Sequence, residues 1–417
     1  MTAPPGIDDA ARAAEQAARA SYGKLVAILA MRDRDIAAAE DALGEAFLSA
    51  LTAWSSRGVP ANPEAWLVTA ARNRLKNAAR AGRVRHAGQA EIERRLTLPA
   101  DDGAFPDQRL RLLFVCAHPA IDPAARTPLM LQTVLGLDAG RIARAFLAEP
   151  AAMAQRLVRA KARIRDAGLR FELPDIDDMA GRLDAVLDAI YAAFGQGWDG
   201  LDDQGGADAL TGEAIWLARL VVSLLPAEPE PRGLLALMLH CDARRAARRD
   251  AGGRFVPLDR QDARLWDRDR IVEAEGLLAA AAMAGRFGRF QCEAAIQSVH
   301  AQRPITGRLN LEALRMLYDL LVAHADGIGA RIGRAVVMAD AGDAAAALAE
   351  LDGMAGERVA KHQPWWVARS HVALLAGRPL VAAASLAKAI DLTNDIAVRH
   401  HLAERLASLR PVGTARS

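Results

Sequence analysis

The sequence predicts an all-α protein, and three observations support this prediction. The chain of 417 residues is 52% hydrophobic but only 5% aromatic, and Ala, Leu and Arg dominate it. This composition favours helices over sheets. Apolar residues recur at helical spacing along most of the chain. Several segments also begin with helix-start signals, such as Asn62-Pro63-Glu64, which supplies an N-cap, a first-turn proline and a first-turn acid.

Charge, cysteine usage and hydropathy exclude several classes of protein. The formal net charge is +2, so a nucleic-acid surface would have to come from local basic clusters. Cys116, Cys241 and Cys292 are far apart and show no metal-ligand spacing, so neither a disulfide framework nor a zinc site is predicted. The N-terminus lacks the features of a secretory signal, and no apolar run approaches membrane-spanning length. We therefore expect a soluble, cytoplasmic protein with no cofactor, no metal and no membrane association.

The first segments of the chain are predicted to be helices with distinct faces. Residues 1–20 are expected to form an N-terminal arm or a first helix, and helical spacing continues from Ser21 to about Trp54. A second helix should start near Asp35. Its core-facing residues are Ala39, Leu43, Ala46, Phe47 and Ala50. Its outer side carries Glu40, Asp41 and Glu45. Such an acidic cluster is either solvated surface or a docking surface for a basic partner.

A third helix is predicted from Asn62 to about Arg80, with Gly82 as its stop. It ends in a run of six basic residues without an acidic one. These are Arg72, Arg74, Lys76, Arg80, Arg83 and Arg85. Such a run is a candidate phosphate-binding stripe, and a solvated helix end is the alternative interpretation. The polar residues 87–108 that follow predict a linker between two small helical domains.

The next segments predict a scaffold helix and a helix pair. Asp122-Pro123 should start a helix that Gly136 ends, and Pro128 should kink this helix or shift its start. A short apolar segment around Ile142 then precedes a longer helix that begins at Pro150. The apolar face of the longer helix is Met153, Leu157, Ala160 and Ile164. Another face carries Ala152, Gln155, Arg156, Arg159 and Arg163.

This helix pair, from Asp138 to Arg165, has the pattern of a helix-turn-helix. A second helix with one apolar side and one Arg-rich side suits the major groove of DNA, where small side chains near its start let the backbone approach the bases. A solvated Arg face in an ordinary helical bundle would show the same pattern.

The C-terminal half is predicted to be helical throughout. The Gly- and Asp-rich stretch 195–206 is expected to be a connection, and Leu234–Cys241 is apolar enough to be buried. Beyond residue 270 a spacing recurs, because Gly342 and Gly377 are each followed by small and apolar residues in the same register. The two registers are offset by 35 residues. This offset is close to the period of about 34 residues of tetratricopeptide hairpins, which bind partners on a concave face.

Three segments together resemble the bacterial sigma-70 family. Asp35–Ala50 (DIAAAEDALGEAFLSA) looks like its second conserved segment, and Asn62–Arg80 (NPEAWLVTAARNRLKNAAR) resembles the segment that recognises and opens the −10 promoter element. Asp122–Ile164 resembles the domain that reads the −35 element. The layout is similar to the extracytoplasmic-function class, in its long subgroup with a tetratricopeptide-like C-terminal extension.

The resemblance implies six parts of the chain. They are an arm (1–20), sigma region 2 (21–86), a linker (87–108), sigma region 4 with the helix-turn-helix (109–168), a helical domain of the long subgroup (176–280) and tetratricopeptide-like repeats (281–410). It also implies that the partners are core RNA polymerase, promoter DNA and a protein partner of the repeats.

The resemblance further assigns residues to three surfaces. Core polymerase would contact Asp35, Glu40, Asp41, Glu45 and Phe47. The −10 element would contact Trp66, Arg72, Asn73, Arg74, Lys76 and Arg80. The −35 element would contact Arg141, Arg144, Gln155, Arg156, Arg159 and Lys161. An acidic helix suits a basic polymerase clamp, and promoter opening needs a basic track with stacking residues.

Two alternatives to a sigma factor remain at this point. One is a helical interaction scaffold whose DNA-binding half is degenerate, which would bind DNA weakly and without sequence preference. The other is an enzyme. We expect no enzyme, because the sequence shows no convergent Ser/His/Asp set, no metal-ligand spacing and no nucleotide-binding loop. The extension is expected to regulate the protein or to bind a partner.

Overall fold

A computed structural model describes residues 7–85, 108–146, 148–172, 176–199, 206–354 and 356–409 of the chain. These residues confirm the all-α prediction: they form α-helices and short 3-10 turns, and their only β-type pairing is an isolated bridge between Arg249 and Phe255. The helices are α1 Ile7–Asp33, α2 Ile36–Arg57, α3 Pro63–Arg85, α4 Gln108–Cys116, α5 Pro123–Thr133, α6 Ala139–Ala145, α7 Pro150–Asp166, α8 Ile176–Asp199, α9 Gly206–Leu224, α10 Pro229–Asp242, α11 Arg268–Ala282, α12 Arg289–Thr306, α13 Leu311–His324, α14 Ile328–Asp340, α15 Ala344–Gly353, α16 Glu357–Ala360, α17 Gln363–Leu375, α18 Pro379–Asp391 and α19 Ile396–Leu409.

The helices form two compact units, Met1–Leu217 and Ala218–Ser417, which divide within α9. In the first unit α1 packs against α2, α3 and α4, while α5 packs against α7 and α8. In the second unit α10 packs against both α11 and α12, and the remaining helices pack mainly on their neighbours in the chain. The six-part division expected from the sequence is finer than this and stays a prediction.

The first two helices are close to the sequence prediction. Of the two alternatives for residues 1–20, an arm or a first helix, the structure has the helix from Ile7, because Ala10, Ala14 and Ala17 recur at helical spacing and are buried. The predicted core face of α2 is confirmed, except that Phe47 is only half-buried. The predicted linker 87–108 lies outside the described residues up to position 107.

The start of α3 is confirmed and its end is not. The side chain of Asn62 accepts a hydrogen bond from the backbone N–H of Ala65 at 3.0 Å, as an N-cap does. The helix passes Gly82 and continues to Arg85. One helical glycine costs only about 1 kcal/mol relative to alanine, too little to end a helix by itself.

The scaffold helix α5 keeps its start at Pro123, so Pro128 does not shift it. The carboxylate of Asp122 caps the helix by accepting from the Ala124 N–H at 2.9 Å. Pro128 lies inside the helix and has no N–H, so the carbonyl of Ala124 lacks its usual partner. Arg156 Nη1 of α7 lies 3.4 Å from that carbonyl oxygen.

Two predictions for the middle of the chain have opposite outcomes. The stretch Leu234–Cys241 was predicted to be buried because it is apolar. This prediction is confirmed, since Leu234 to Leu239 of α10 are all buried. The connection expected over 195–206 is shorter, because α8 reaches Asp199 and α9 begins at Gly206. Ala193 and Phe194 are buried on the core side of α8, and this burial offsets the low helix propensity of Gly195.

The recurring spacing near the C-terminus corresponds to two helix hairpins built alike, α14–α15 and α17–α18. Gly342 and Gly377 end α14 and α17 with positive φ angles of 109° and 69°. The residues after them, Asp343 and Arg378, donate to carbonyls of the preceding helix at 3.0 and 2.8 Å, which completes a Schellman-type ending in both.

The same hairpins share a side-chain contact at the same offset. Arg334 Nε donates to Glu350 at 3.1 Å in the first hairpin, and Arg369 Nη1 donates to Ser385 Oγ at 2.9 Å in the second. Each contact spans 16 positions, from the first helix of the hairpin to the second. The hairpins are therefore equivalent units 35 positions apart.

A buried histidine in α10 makes the second unit sensitive to acid. Burial, assisted by the Arg244 cation, lowers the pKa of His240 to about 4. In the unfolded chain this pKa returns to about 6.5, so the unfolded state binds more protons between these values. The free energy of unfolding should therefore decrease as the pH falls from about 6.5 to 4, by about 1–3 kcal/mol from this residue.

We expect His240→Leu to reduce this loss, measured as the difference in urea-unfolding free energy between pH 7 and pH 4.5. His324→Leu is the matched control, because His324 is exposed at the end of α13. An unchanged pH dependence in His240→Leu would contradict the assignment.

Candidate nucleic-acid interface

Helix α2 presents one exposed face along its length. Asp35 caps the helix by accepting from the Ala38 N–H at 3.1 Å. Asp41 and Glu45 are exposed one turn apart, whereas Glu40 is largely enclosed. The exposed face continues with Leu48 and Leu51, two apolar residues that the sequence analysis did not assign. Acidic residues followed by uncovered leucines suit a protein partner with a basic surface and an apolar recess.

Helix α3 carries the predicted −10 residues on and beside its exposed side. Asn73 and Lys76 are exposed one turn apart, and Arg72 is half-buried. Trp66 is half-buried, and its ring meets that of buried Trp54 in an edge-to-face contact with centroids 5.5 Å apart. The side chain of Arg80 lies outside the described residues.

Arg74 links the two predicted surfaces of the first three helices. Its guanidinium forms an ion pair with Glu45 and donates to Ser49 Oγ at 2.9 Å. Both partners of the ion pair are about half exposed, so the pair contributes little to stability and can open. Arg74 therefore remains available to another anion, such as a phosphate.

The helix pair predicted from the sequence is present as α6 and α7. The apolar face predicted for the longer helix is confirmed, since Met153, Leu157, Ala160 and Ile164 are its buried residues. Asp138 caps α6 by accepting from the Arg141 N–H at 2.9 Å, and Arg141 is half-buried there. The side chain of Arg144 lies outside the described residues.

A groove of about 520 Å³ runs between α7 and the start of α5. One wall is basic and belongs to α7: Gln155, Arg156, Arg159 and Arg163. The opposite wall belongs to residues 120–125 and includes the capping carboxylate of Asp122. Ala152, near the start of α7, also lines the groove and leaves room for an approaching backbone. An arginine-lined groove with small residues suits a phosphate strand or base edges.

The structure brings together three of the six predicted −35 residues and separates a fourth from them. Gln155, Arg156 and Arg159 line the groove together with Arg163, which the sequence analysis placed on the same face of the helix without assigning it to the −35 element. Lys161 lies on a different face of α7 and forms an ion pair with Glu40 of α2.

The surroundings of this ion pair are largely closed to water. The side chains of Lys161 and Glu40 are 11% and 16% exposed. Burial raises the pKa of Glu40, and Lys161 opposes this shift. Cys116 of α4 is also buried, and this burial raises the pKa of its thiol to about 12, so the thiol is an inert core group.

Comparison with known proteins associates these helices with a family. Residues 18–85, which span most of α1 and all of α2 and α3, match a family model described as Sigma-70 region 2. Residues 182–282 match a family of unknown function, DUF6596. An uncharacterized protein of Rhizobium meliloti (strain 1021) is 37% identical over 371 residues, which is 87% of this chain and 88% of that protein. No solved structure matches the chain.

The first three helices contain a region that matches sigma-70 region 2, which supports membership of the sigma-70 family. The chain belongs to the same family as the Rhizobium meliloti protein, to which it is similar over most of its length. Among the described helices, none is sufficiently long and apolar to cross a membrane. The same residues contain no group of His, Cys, Asp and Glu side chains that could hold a metal ion.

Proposed function

We propose that this protein is an RNA polymerase sigma factor that binds core RNA polymerase and directs it to promoters. The observation that carries this proposal is the match of residues 18–85 to sigma-70 region 2, which coincides with the helices that display the acidic and apolar face of α2 and the basic side of α3. A sigma factor needs these two surfaces, one for the polymerase and one for the −10 strand.

The third surface of the proposal is the groove beside α7. We assign to it contact with the −35 element, because its arginines can reach phosphates and base edges while Ala152 permits a close approach. On this proposal the protein acts in the cytoplasm, where polymerase and DNA are. It performs no catalysis of its own, because the polymerase carries out the chemistry.

The C-terminal half is proposed to regulate this activity or to bind a protein partner. The two equivalent hairpins, α14–α15 and α17–α18, support this role, since repeated hairpins present extended surfaces for partners. The class proposed is the extracytoplasmic-function type, in its long subgroup with tetratricopeptide-like repeats.

The test is run-off transcription with the purified full chain, core RNA polymerase and DNA from upstream of its own gene. We expect a discrete transcript that depends on the protein, and co-elution of the protein with core polymerase. Absence of both would favour an interaction scaffold over a sigma factor.

A charge reversal on α2 sharpens this test. Asp41→Arg should abolish co-elution and transcript, because an exposed acid on the proposed docking face becomes a base. Asp184→Arg is the matched control, because Asp184 is an exposed acid that belongs to a different helix, α8. Equal loss in both variants would show that the effect does not come from the proposed surface.

A further inference from the structure

The second unit contains a recess between the loop that follows α10 and the end of α12. Its volume is about 200 Å³, which is room for about six or seven water-sized groups. Gln261 and Trp266 line it from the loop, and His300 and Arg303 line it from the helix. All four belong to one compact unit and lie outside the surfaces proposed for polymerase and DNA.

Two buried polar atoms of the loop side are unpaired. Trp266 is only 8% exposed, and its Nε1–H has no hydrogen-bond partner in the described part of the chain. Gln261 donates from Nε2 to the carbonyl of Val256 at 3.3 Å, whereas its Oε1 is buried and equally unpaired. Buried donors and acceptors are normally satisfied, by water or a ligand where the protein offers nothing. The recess that both residues line is the place for such a molecule.

The helix side adds a backbone acceptor and an imidazole. Pro304 lies in the last turn of α12 and has no N–H, so the carbonyl of His300 lacks its usual helical partner. The ring of His300 makes no hydrogen bond to a described residue. Burial, assisted by the Arg244 and Arg303 cations, lowers the pKa of His300 to about 4. The ring is therefore neutral at pH 7 and offers one donor and one acceptor.

Arg303 gives the recess a positive charge. Its Nη2 donates to the backbone carbonyl of Asp259 at 2.7 Å, and it forms no ion pair with a described residue. This bond holds the guanidinium at the recess and leaves its other N–H groups for a ligand. The carboxylate of Asp259 interacts with Arg405 instead, where it opposes the lowering of the pKa of Arg405 by burial. The recess therefore favours an anion.

The groups of the recess fit a carboxylate with a hydroxyl group beside it. A guanidinium and an indole N–H can bind the two oxygens of one carboxylate, whereas phosphate carries more negative charge than Arg303, the one cation of the described lining, offsets. Gln261 Oε1 and the freed backbone carbonyl are acceptors, so they require a donor in the ligand. A hydroxyl supplies it without the positive charge that an amino group would bring near Arg303. Leu258 and Pro304 give the carbon atoms an apolar wall.

We propose that this recess binds a small hydroxy acid. Arg303 and the Trp266 N–H hold its carboxylate, while Gln261 Oε1 and the carbonyl of His300 accept from its hydroxyl. The second unit is then a receptor for a small molecule. This proposal does not depend on the sigma function, because binding is measured on the full chain without polymerase or DNA.

The loop that lines the recess also contacts α19. Arg249 Nη2 donates to Asp395, which directly precedes α19, at 2.7 Å. The rings of Phe255 and His401 meet edge to face with centroids 5.5 Å apart. A ligand that holds the loop against α12 should therefore slow local opening of both the loop and α19.

The first experiment is isothermal titration calorimetry of the full chain with racemic lactate and racemic glycerate. We expect a Kd below about 1 mM for at least one of them, an affinity that molecules of about six or seven non-hydrogen atoms can reach. Propionate lacks the hydroxyl and alanine replaces it with an ammonium group, so both should bind at least about tenfold more weakly. Inorganic phosphate should also bind more weakly.

Three results of this titration would overturn the proposal. Propionate or alanine binding as tightly as the hydroxy acids would show that no hydroxyl is recognised. Preference for phosphate would show a different anion site. Absence of heat with every probe at about 10 mM would show that the recess holds water alone.

Trp266→Phe tests the indole donor, because it removes the N–H and keeps an aromatic ring. We expect the Kd for the hydroxy acid to rise about tenfold or more. Trp54→Phe is the matched control: its Nε1 is also buried and unpaired, but Trp54 lies in α2, in the other unit. It should bind like the natural chain, and an equal loss of affinity in both variants would contradict the site.

Arg303→Gln tests the cation and also serves if Trp266→Phe does not fold. The new amide can still donate to the Asp259 carbonyl, so the loop keeps its contact with α12. We expect the Kd to rise about 30-fold or more. Arg308→Gln is the matched control, since Arg308 is exposed beyond the end of α12 and does not line the recess. An unchanged Kd in Arg303→Gln would overturn the proposal.

Amide hydrogen exchange locates the bound molecule. The hydroxy acid that binds most tightly should slow exchange in residues 255–266 and in α19, and leave α1 to α3 unchanged. Slower exchange in α1 to α3 alone would place the ligand elsewhere and overturn the assignment to this recess.

Discussion

Replacing Arg156 and Arg159 with alanine should abolish transcription that depends on the −35 element and leave binding to core polymerase intact. Both side chains line the groove between α5 and α7. An arginine that reads a base or holds a phosphate contributes about 1–3 kcal/mol, so loss of two should weaken promoter binding by about 10²-fold or more. The salt dependence of DNA binding should also decrease, since fewer phosphates are neutralised.

The matched control removes two arginines from outside the groove. Arg170 follows α7 and Arg308 follows α12, and both are exposed. Arg170→Ala with Arg308→Ala should leave promoter binding within about twofold, measured by electrophoretic mobility shift at fixed salt. Promoter output from the groove variant equal to that of the natural chain would contradict the −35 assignment.

Equal and large losses of stability are expected at equivalent positions of the two hairpins. Leu351 of α15 and Leu386 of α18 are 35 positions apart and fully buried. Removing such a side chain costs about 2–5 kcal/mol, from lost burial and the cavity left behind. Thermal and urea unfolding of Leu351→Ala and Leu386→Ala should therefore show similar large decreases.

Leu380→Ala is the control for this pair, because Leu380 is 85% exposed at the start of α18. It should change the free energy of unfolding by less than about 0.5 kcal/mol. A small effect at only one of the two buried leucines would show that the hairpins do not share an equivalent core.

The features that were predictable from the sequence depend on residues that lie close together in the chain. The apolar face of α7 follows from a spacing of three and four residues, and its start follows from the fixed φ of Pro150. The caps at Asn62 and Asp122 were likewise predictable, because an N-cap acts within three residues of itself. The helix endings at Gly342 and Gly377 also follow from local sequence, because glycine readily adopts the positive φ angle that such an ending needs.

The features that were not predictable depend on distant parts of the chain. Nothing near Lys161 indicates that it meets Glu40, which lies 121 positions earlier. The ion pair of Arg74 with Glu45 spans 29 positions and is equally invisible to local patterns. Gly82 and Gly195 show the converse, since local propensity predicted helix ends that the helices pass. The candidate surfaces were therefore predictable as helix faces, but not which of their residues face each other.

The two hairpins near the C-terminus also have a consequence for how the chain can change in evolution. Each hairpin closes with its own glycine ending and its own arginine contact, and a few bonds join the two hairpins, such as that from Arg369 Nε of α17 to Asp352 Oδ1 of α15 at 2.7 Å. Duplication or deletion of a whole unit would keep the bonds within each remaining unit, and only the bonds between neighbouring hairpins would have to form again. Relatives of this protein should accordingly differ in length by steps of about 35 residues in this region, and by irregular amounts elsewhere.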